Sequence, residues 1–292
     1  MPTRTICSEL LPNSIRGTIP CPDVGRGMTI QIKSSFAFGL EQPTDVLLQF
    51  EAADLPEQTI VECNTQMSDA EHCARVGAQD DIGERIWLRA QGTFEVDYTA
   101  KVDLNRQQVD LKTIDALDPH LLPGEAVAYL LDSRYCPADR FQSFVEAEFE
   151  GTKGGARIHA IREWISSHLS YVPGASGPYT DAAETFIMRK GICRDYAHLM
   201  VTLARASTIP ARYIACYAPG VEPPDFHAAA EVFLADPEHE DGGTWQIVDA
   251  TDMADPLKTV KIGIGRDAAD VSFLTSFGAN KFLRSKVEVT EI

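Results

Sequence analysis

Apolar and polar positions along this 292-residue chain change rhythm once. From Met28 to about Asp110 they alternate in short runs, which predicts strands. Thr29-Ile30-Gln31-Ile32-Lys33, Thr59-Ile60-Val61-Glu62 and Arg85-Ile86-Trp87-Leu88-Arg89 all alternate, and Gly92 to Val102 sets Phe94, Val96, Tyr98 and Ala100 on one face. Gln42-Pro43, Leu55-Pro56 and Ile82-Gly83 punctuate the runs as turns. Residues 28–115 therefore read as an antiparallel β-sandwich. From about Asp118 the period becomes helical, with helices expected over Glu125–Leu131, Ala138–Phe149, Ala156–Leu169 and Ala182–Arg189, the last capped by Thr180 or Asp181. Tyr171 to Pro178 reads as a loop. Another helix opens near Cys193 and stops before Pro210, which cannot continue it. Strands are expected over Arg212–Tyr217, Ala228–Leu234, Thr244–Val248, Thr259–Gly263 and Lys286–Thr290. Helices first and antiparallel strands after make residues 116–292 an α+β unit. Residues 1–27 carry Pro2, Pro12, Pro20 and Pro22 and no continuous apolar segment, and read as a flexible extension rather than a signal peptide.

Three residues in the second half have the chemistry of a thiol nucleophile, its base and its orienting carboxylate, in settings that suit those roles. Ala197, Met200, Val201 and Ala204 fit one helix face, so Cys193 stands in that helix's first turn. Unpaired amides there favour a thiolate and can donate to an oxyanion forming beside the sulfur. Asp195 shares that turn. His227 begins a strand whose alternation puts it on one face with Ala229, Glu231 and Phe233. Asp249 ends the next strand, with Trp245 and Ile247. The segment between, Ala235 to Thr244, is rich in Asp, Pro and Gly and reads as a hairpin loop. A plain hairpin of that length sets His227 and Asp249 nearly opposite, with Cβ atoms roughly 4.5–5.5 Å apart. That separation allows a hydrogen bond that fixes the imidazole tautomer.

Gly191-Ile192-Cys193-Arg194-Asp195-Tyr196-Ala197-His198-Leu199, Ile209-Pro210-Ala211-Arg212-Tyr213, Phe226-His227-Ala228 with Glu231-Val232, and Trp245 with Asp249-Ala250-Thr251 resemble the core motifs of bacterial transglutaminase-like proteins. The resemblance covers most of the chain from Met28, including Gly263 to Val271. It implies a papain-like fold and a Cys-His-Asp triad made of Cys193, His227 and Asp249. Two positions depart from the pattern: Ala229, where many relatives carry tryptophan, alters the expected wall of the cleft, and Ala250 stands where proline is common.

Other residue types compete for these roles. His198 lies five positions after Cys193, about 140° round the helix, and reads as a packing histidine. His168 sits at a helix end, and His239 in the acidic hairpin loop reads as solvated. Cys216 reads as core. Cys63 with His72-Cys73 is too loosely spaced for a zinc site, and Gly263-Ile264-Gly265 lacks the third glycine of a dinucleotide loop and reads as a turn. Trp164 reads as core, and Arg266 and Asp267 as a brace or a pair.

Composition narrows the function classes. Lys and Arg total 26 against 43 Asp and Glu, a net charge of −17, which disfavours nucleic acid and anionic membrane surfaces as partners. Seven irregularly spaced cysteines without a C-x-x-C pair suit a reduced, cytoplasmic protein better than a disulfide framework. The expected activity is cysteine-dependent amide acyl transfer on a peptide or protein, through a thioester on Cys193 resolved by water, without metal or organic cofactor. Transfer to an amine acceptor, giving a cross-link, is one alternative. A non-catalytic peptide-binding module on the same fold is another.

Overall fold

A computed structural model of the chain describes residues 28–79, 83–106, 109–236 and 242–292. The expected 1–27 extension, Ile82 of the Ile82-Gly83 turn and His239 lie outside them. The alternating first half forms β1 (Met28–Leu48), β2 (Gln58–Met67), β3 (His72–Val76) and β4 (Arg85–Leu104), antiparallel throughout. The strands join edge to edge in one six-stranded antiparallel sheet. β1 and β4, at 21 and 20 residues, are long enough to hold two sets of neighbours each. Alternation reports which residues share a face, and says nothing of how many layers the strands divide into. That face is apolar and closed: Phe36, Phe38, Val46, Leu48, Phe94, Val96, Tyr98 and Val102 are all buried.

The second half is helical before it is stranded: α1 (Gly124–Val127), α2 (Gln142–Glu148), α3 (Gly154–His168), α4 (Ala182–Met188) and α5 (Cys193–Ala206). Of the two expected caps for α4, Asp181 is the one used, its carboxylate accepting from the Glu184 N–H at 2.8 Å. Two strand fragments, β5 (Ser170–Tyr171) and β6 (Lys190–Gly191), pair in parallel beside the start of α5. β7 (Ala211–Tyr217), β8 (His227–Ala235), β9 (Gly243–Val248) and β10 (Val260–Gly265) then form a second antiparallel sheet in the order β10-β7-β8-β9. Gly263-Ile264-Gly265, expected as a turn, runs as strand within β10, because Ile264 pairs with Ile214 inside the core. The last strands, β11 (Leu274–Ser276) and β12 (Lys281–Glu291), return to the first sheet against β1. The order of elements along the chain does not reveal that return.

α5 packs across β7 and β8, where Leu199, Met200, Leu203, Ala211, Ala230, Val232 and Val248 share one core with α3 and α4. The opposite face of the same sheet carries Ile214, Cys216, Ala229, Ile247 and Ile264, and closes on Ala53 and Leu55 from the first half. Cys216 is core, as expected. The Tyr217 hydroxyl donates to the Phe50 carbonyl at 2.7 Å, and Gln58 Nε2 donates to the Lys261 carbonyl at 2.8 Å, so polar bonds as well as apolar area tie the halves together. Among the described residues no helix is long and apolar enough to cross a membrane.

Candidate active site

Cys193 is the first residue of α5, and the turn around it is held by the Asp195 carboxylate. Asp195 is fully buried and accepts from the Ile192 N–H at 2.8 Å and from the Arg194 guanidinium at 2.9 Å. The Ser176 hydroxyl donates to the same carboxylate, and Arg194 also reaches the Gly177 carbonyl at 2.7 Å. The loop from Tyr171 to Pro178 is thereby fastened to the first turn of the helix. Only glycine fits just before it: a Cβ at Gly191 would stand 2.8 Å from the Asp195 carboxylate oxygen.

His227 opens β8 and Asp249 directly follows β9. The register, with Ala230 opposite Val248, centres the hairpin one residue beyond the midpoint of His227 and Asp249. Continuing that register sets Asp249 opposite Ala229 and diagonal to His227, on the same face. The diagonal is still bridged: His227 Nε2 lies 3.0 Å from Asp249 Oδ2, with both side chains out of solvent. Asp249 is itself fixed by donors from the turn beyond it, the Thr251 N–H at 2.9 Å, the Thr251 hydroxyl at 2.8 Å and the Ala254 N–H at 2.8 Å.

Nδ1 is the remaining ring nitrogen, and no described group makes a hydrogen bond to it. The Cys193 sulfur lies beside the ring. Burial by itself would lower the imidazole pKa, but the Asp249 hydrogen bond and charge, with the Cys193 sulfur, override it and raise His227 to about 9. Burial likewise works to raise Asp249, and the hydrogen bond and charge of His227 with the turn amides bring it below the usual carboxylate value. The imidazole is therefore protonated at neutral pH, beside a sulfur on one side and a carboxylate on the other. Such an arrangement can hold a thiolate against an imidazolium and return that proton to a leaving group.

Tyr171 on β5 was not anticipated. Its hydroxyl faces the Cys193 sulfur and main-chain N–H, and burial followed by the nearby sulfur pushes it up to about 12. It remains a neutral O–H donor across the physiological range. The two-residue parallel pairing of β5 with β6 brings it there, and so short a ladder leaves no periodic signal.

The competing residues lie elsewhere. His198 is completely buried between the rings of Tyr135 and Tyr213, and its Nε2 accepts from the Ala268 N–H at 3.1 Å. Burial, then the charge of Arg194, drives it down to about 3, so it stays uncharged and packs as expected. His168 stacks on Trp164 at the end of α3, and Trp164 is core. Arg266 pairs with Asp270, while Asp267 accepts from the Tyr135 N–H, so they brace separate contacts rather than each other. Ala229 does not line the cleft: it is buried against Ile214, Ile247 and Leu55, and the departure from tryptophan concerns the core under the sheet.

Comparison with known proteins bears on the family and the fold. The sequence model of the transglutaminase-like superfamily matches residues 144–250, the stretch that spans Cys193, His227 and Asp249. The crystal structure of a candidate cysteine protease from Cytophaga hutchinsonii superposes with a TM-score of 0.84 at 30% identity, covering 92% of each chain. An uncharacterised protein of Mycobacterium leprae is 28% identical over 120 residues, and one of Mycobacterium tuberculosis H37Rv is 29% identical over 117. The matched segments span 42% and 37% of those two relatives, so this chain corresponds to about two-fifths of their length. With that family model and a 30%-identical likeness that runs through both halves, the chain belongs to the transglutaminase-like superfamily.

Proposed function

We propose that this protein is a cysteine hydrolase of amide bonds in peptides or proteins. Cys193 attacks the carboxamide carbon, and the tetrahedral oxyanion is met by its own N–H and by the Tyr171 hydroxyl. His227 carries the thiol proton and delivers it from Nδ1 to the leaving nitrogen, which departs as an amine or ammonia and leaves a thioester. Water, deprotonated by the now neutral His227, adds to that thioester. Collapse then expels the sulfur, frees a carboxylate and restores the imidazolium. Asp249 keeps Nε2 protonated and the ring in plane throughout.

The observation that carries this reading is the unpartnered Nδ1 of a histidine anchored through Nε2, with a half-buried cysteine sulfur beside it. Hydrolysis is favoured over transfer to an amine because water needs no site of its own. Among the described residues no disulfide engages Cys73, Cys136, Cys193 or Cys216, which fits a reduced compartment such as the cytoplasm. The test is brief exposure to iodoacetamide at neutral pH with peptide mapping, then amine or ammonia release from a mixed peptide panel. Cys193 should alkylate faster than Cys63 and Cys73, and Cys193→Ala should abolish release. Equal alkylation of the three, or equal release from Cys193→Ala, would remove the catalytic role.

A further inference from the structure

A second concavity, with a volume of about 1180 Å³, opens where the first half of the chain meets the β7–β10 sheet. None of Cys193, His227, Asp249 and Tyr171 lines it. Its floor is a chain of buried charges. Arg212 on β7 and Glu231 on β8 are register partners, and Arg212 Nε donates to Glu231 at 2.7 Å. Lys261 is ion-paired with both Glu231 and Glu57, and the Arg106 guanidinium lies 4.0 Å from Glu57. Burial would raise Glu231, but Lys261 and Arg212 hold it at about 2, so it is ionised. Among these five side chains three cations face two carboxylates, an excess of one positive charge, while Asp236 and the Arg266–Asp270 pair also line the cavity.

That excess has a shape. Arg212 is only 8% exposed, and its two terminal nitrogens donate to no described residue. The guanidinium carbon sits over the Trp245 indole, 3.9 Å from its centroid, and Tyr129 meets that indole edge-on at 5.3 Å and 85°. A guanidinium fixed by stacking and by one side bond, with its fork open, is pre-organised for a carboxylate. The mouth has the opposite sign: Glu125 and Asp255 both line the cavity and are exposed. A polyanion such as a nucleotide would be repelled at entry. A positive floor below a negative mouth matches a ligand carrying a carboxylate at one end and an ammonium at the other.

We propose that this cavity binds a free amino acid or short peptide by its α-carboxylate, which docks on the Arg212 fork, with the amino group toward Glu125 and Asp255. The site is separate from the nucleophile: Glu231 is four residues along β8 from His227, about 13 Å at 3.3 Å per residue. Binding here does not depend on Cys193 being catalytic.

Calorimetric titration of the full chain carrying Cys193→Ala, which prevents turnover, tests the proposal with four probes: phenylalanine, the dipeptide Ala-Phe, its C-terminal amide and its N-acetyl derivative. Ala-Phe, phenylalanine or both should bind, and whichever is tighter identifies the ligand size. Amidation should weaken binding at least about tenfold, as loss of a charge-assisted bidentate contact requires. Arg212→Gln, with folding checked by thermal melting, should weaken the acid to the level of the amide. Acetylation, or the surface change Glu125→Gln, should weaken it by a smaller factor. Should Arg212→Gln fail to fold, the acid–amide comparison in the parent protein decides. No binding of either acid up to about 10 mM, an amide that binds as well as the acid, or a folded Arg212→Gln variant with unchanged affinity would each overturn it.

Discussion

Replacing Asp249 with asparagine removes one charge from the candidate site and little volume, so its consequences can be worked out with their signs. His227 is raised in the folded chain from 6.5 to about 9 against the opposing effect of burial, and the hydrogen bond to Asp249 does most to raise it. A group raised on folding stabilises the fold fully below its unfolded value. That stabilisation fades as pH climbs through the folded value. For His227 the window runs from about 6.5 to about 9. Across it the full contribution is about 3 kcal/mol, and about 2.5 kcal/mol of that remains at pH 7. In Asp249→Asn burial persists while the carboxylate is gone. An adjacent opposite charge is worth about 1–3 pH units, so the imidazole midpoint should drop to between about 6 and 8.

Two measurements follow that shift. In protein with ¹³C-labelled histidine, the His227 Cε1–Hε1 signal of the parent should titrate near 9, and that of Asp249→Asn at least about one unit lower. Thermal melting between pH 6 and 10 should show the parent losing stability through its window. The variant should melt about 3–10 °C lower at pH 7, with a flatter profile above it. Chemistry should suffer too, because an amide in place of the carboxylate lets the ring adopt the wrong tautomer. The expected loss in amide hydrolysis is on the order of 10³–10⁴. A variant whose His227 still titrates near 9 would refute the reasoning, since some other group would then be holding the proton.

Tyr171→Phe keeps the ring and removes a hydroxyl that interacts with Cys193. Its hydrolysis rate should fall roughly 10²–10³-fold in steady-state assays, as for loss of an oxyanion donor, with little change in melting temperature. Gly191→Ala sets a methyl 2.8 Å from an Asp195 carboxylate oxygen and should destabilise the fold by about 1–3 kcal/mol in urea titrations while slowing alkylation of Cys193. Glu231→Ala leaves Lys261 and Arg212 buried without their shared carboxylate and should cost about 3–5 kcal/mol by the same titration. A loss below about 1 kcal/mol would show that the cluster is already solvated.

What was legible in the sequence was whatever a short stretch of chain decides. The helix at Cys193 announces itself by apolar spacing and by the proline beyond it. The strands of His227 and Asp249 announce themselves by alternation, and the acidic, glycine-rich stretch between them marks a hairpin. Its register follows less directly, because a loop read only by composition has no sharp centre, and a centre one residue beyond the midpoint of His227 and Asp249 sets the two diagonal rather than opposite. Alternation still kept both residues on one face, and side chains as long as these bridge a diagonal at 3.0 Å. The period of the pattern mattered more here than its exact alignment.

What was hidden depends on partners far away in the chain. Tyr171 reaches the sulfur only because Ser170–Tyr171 pairs with Lys190–Gly191, two residues on each side, and because Ser176 and Gly177 are bonded to the Asp195–Arg194 pair. Those bonds explain the run Cys193-Arg194-Asp195 as more than a nucleophile with polar neighbours. Asp195 cannot serve as a second acid beside the sulfur, because its oxygens are taken up by Ile192, Ser176 and Arg194. Its position in the first turn suits the helix dipole, and its bonds hold the loop that leads back to Tyr171. The residue order of that turn thus sets the nucleophile and its facing donor together, so a change at Asp195 should disturb Tyr171 before it disturbs His227.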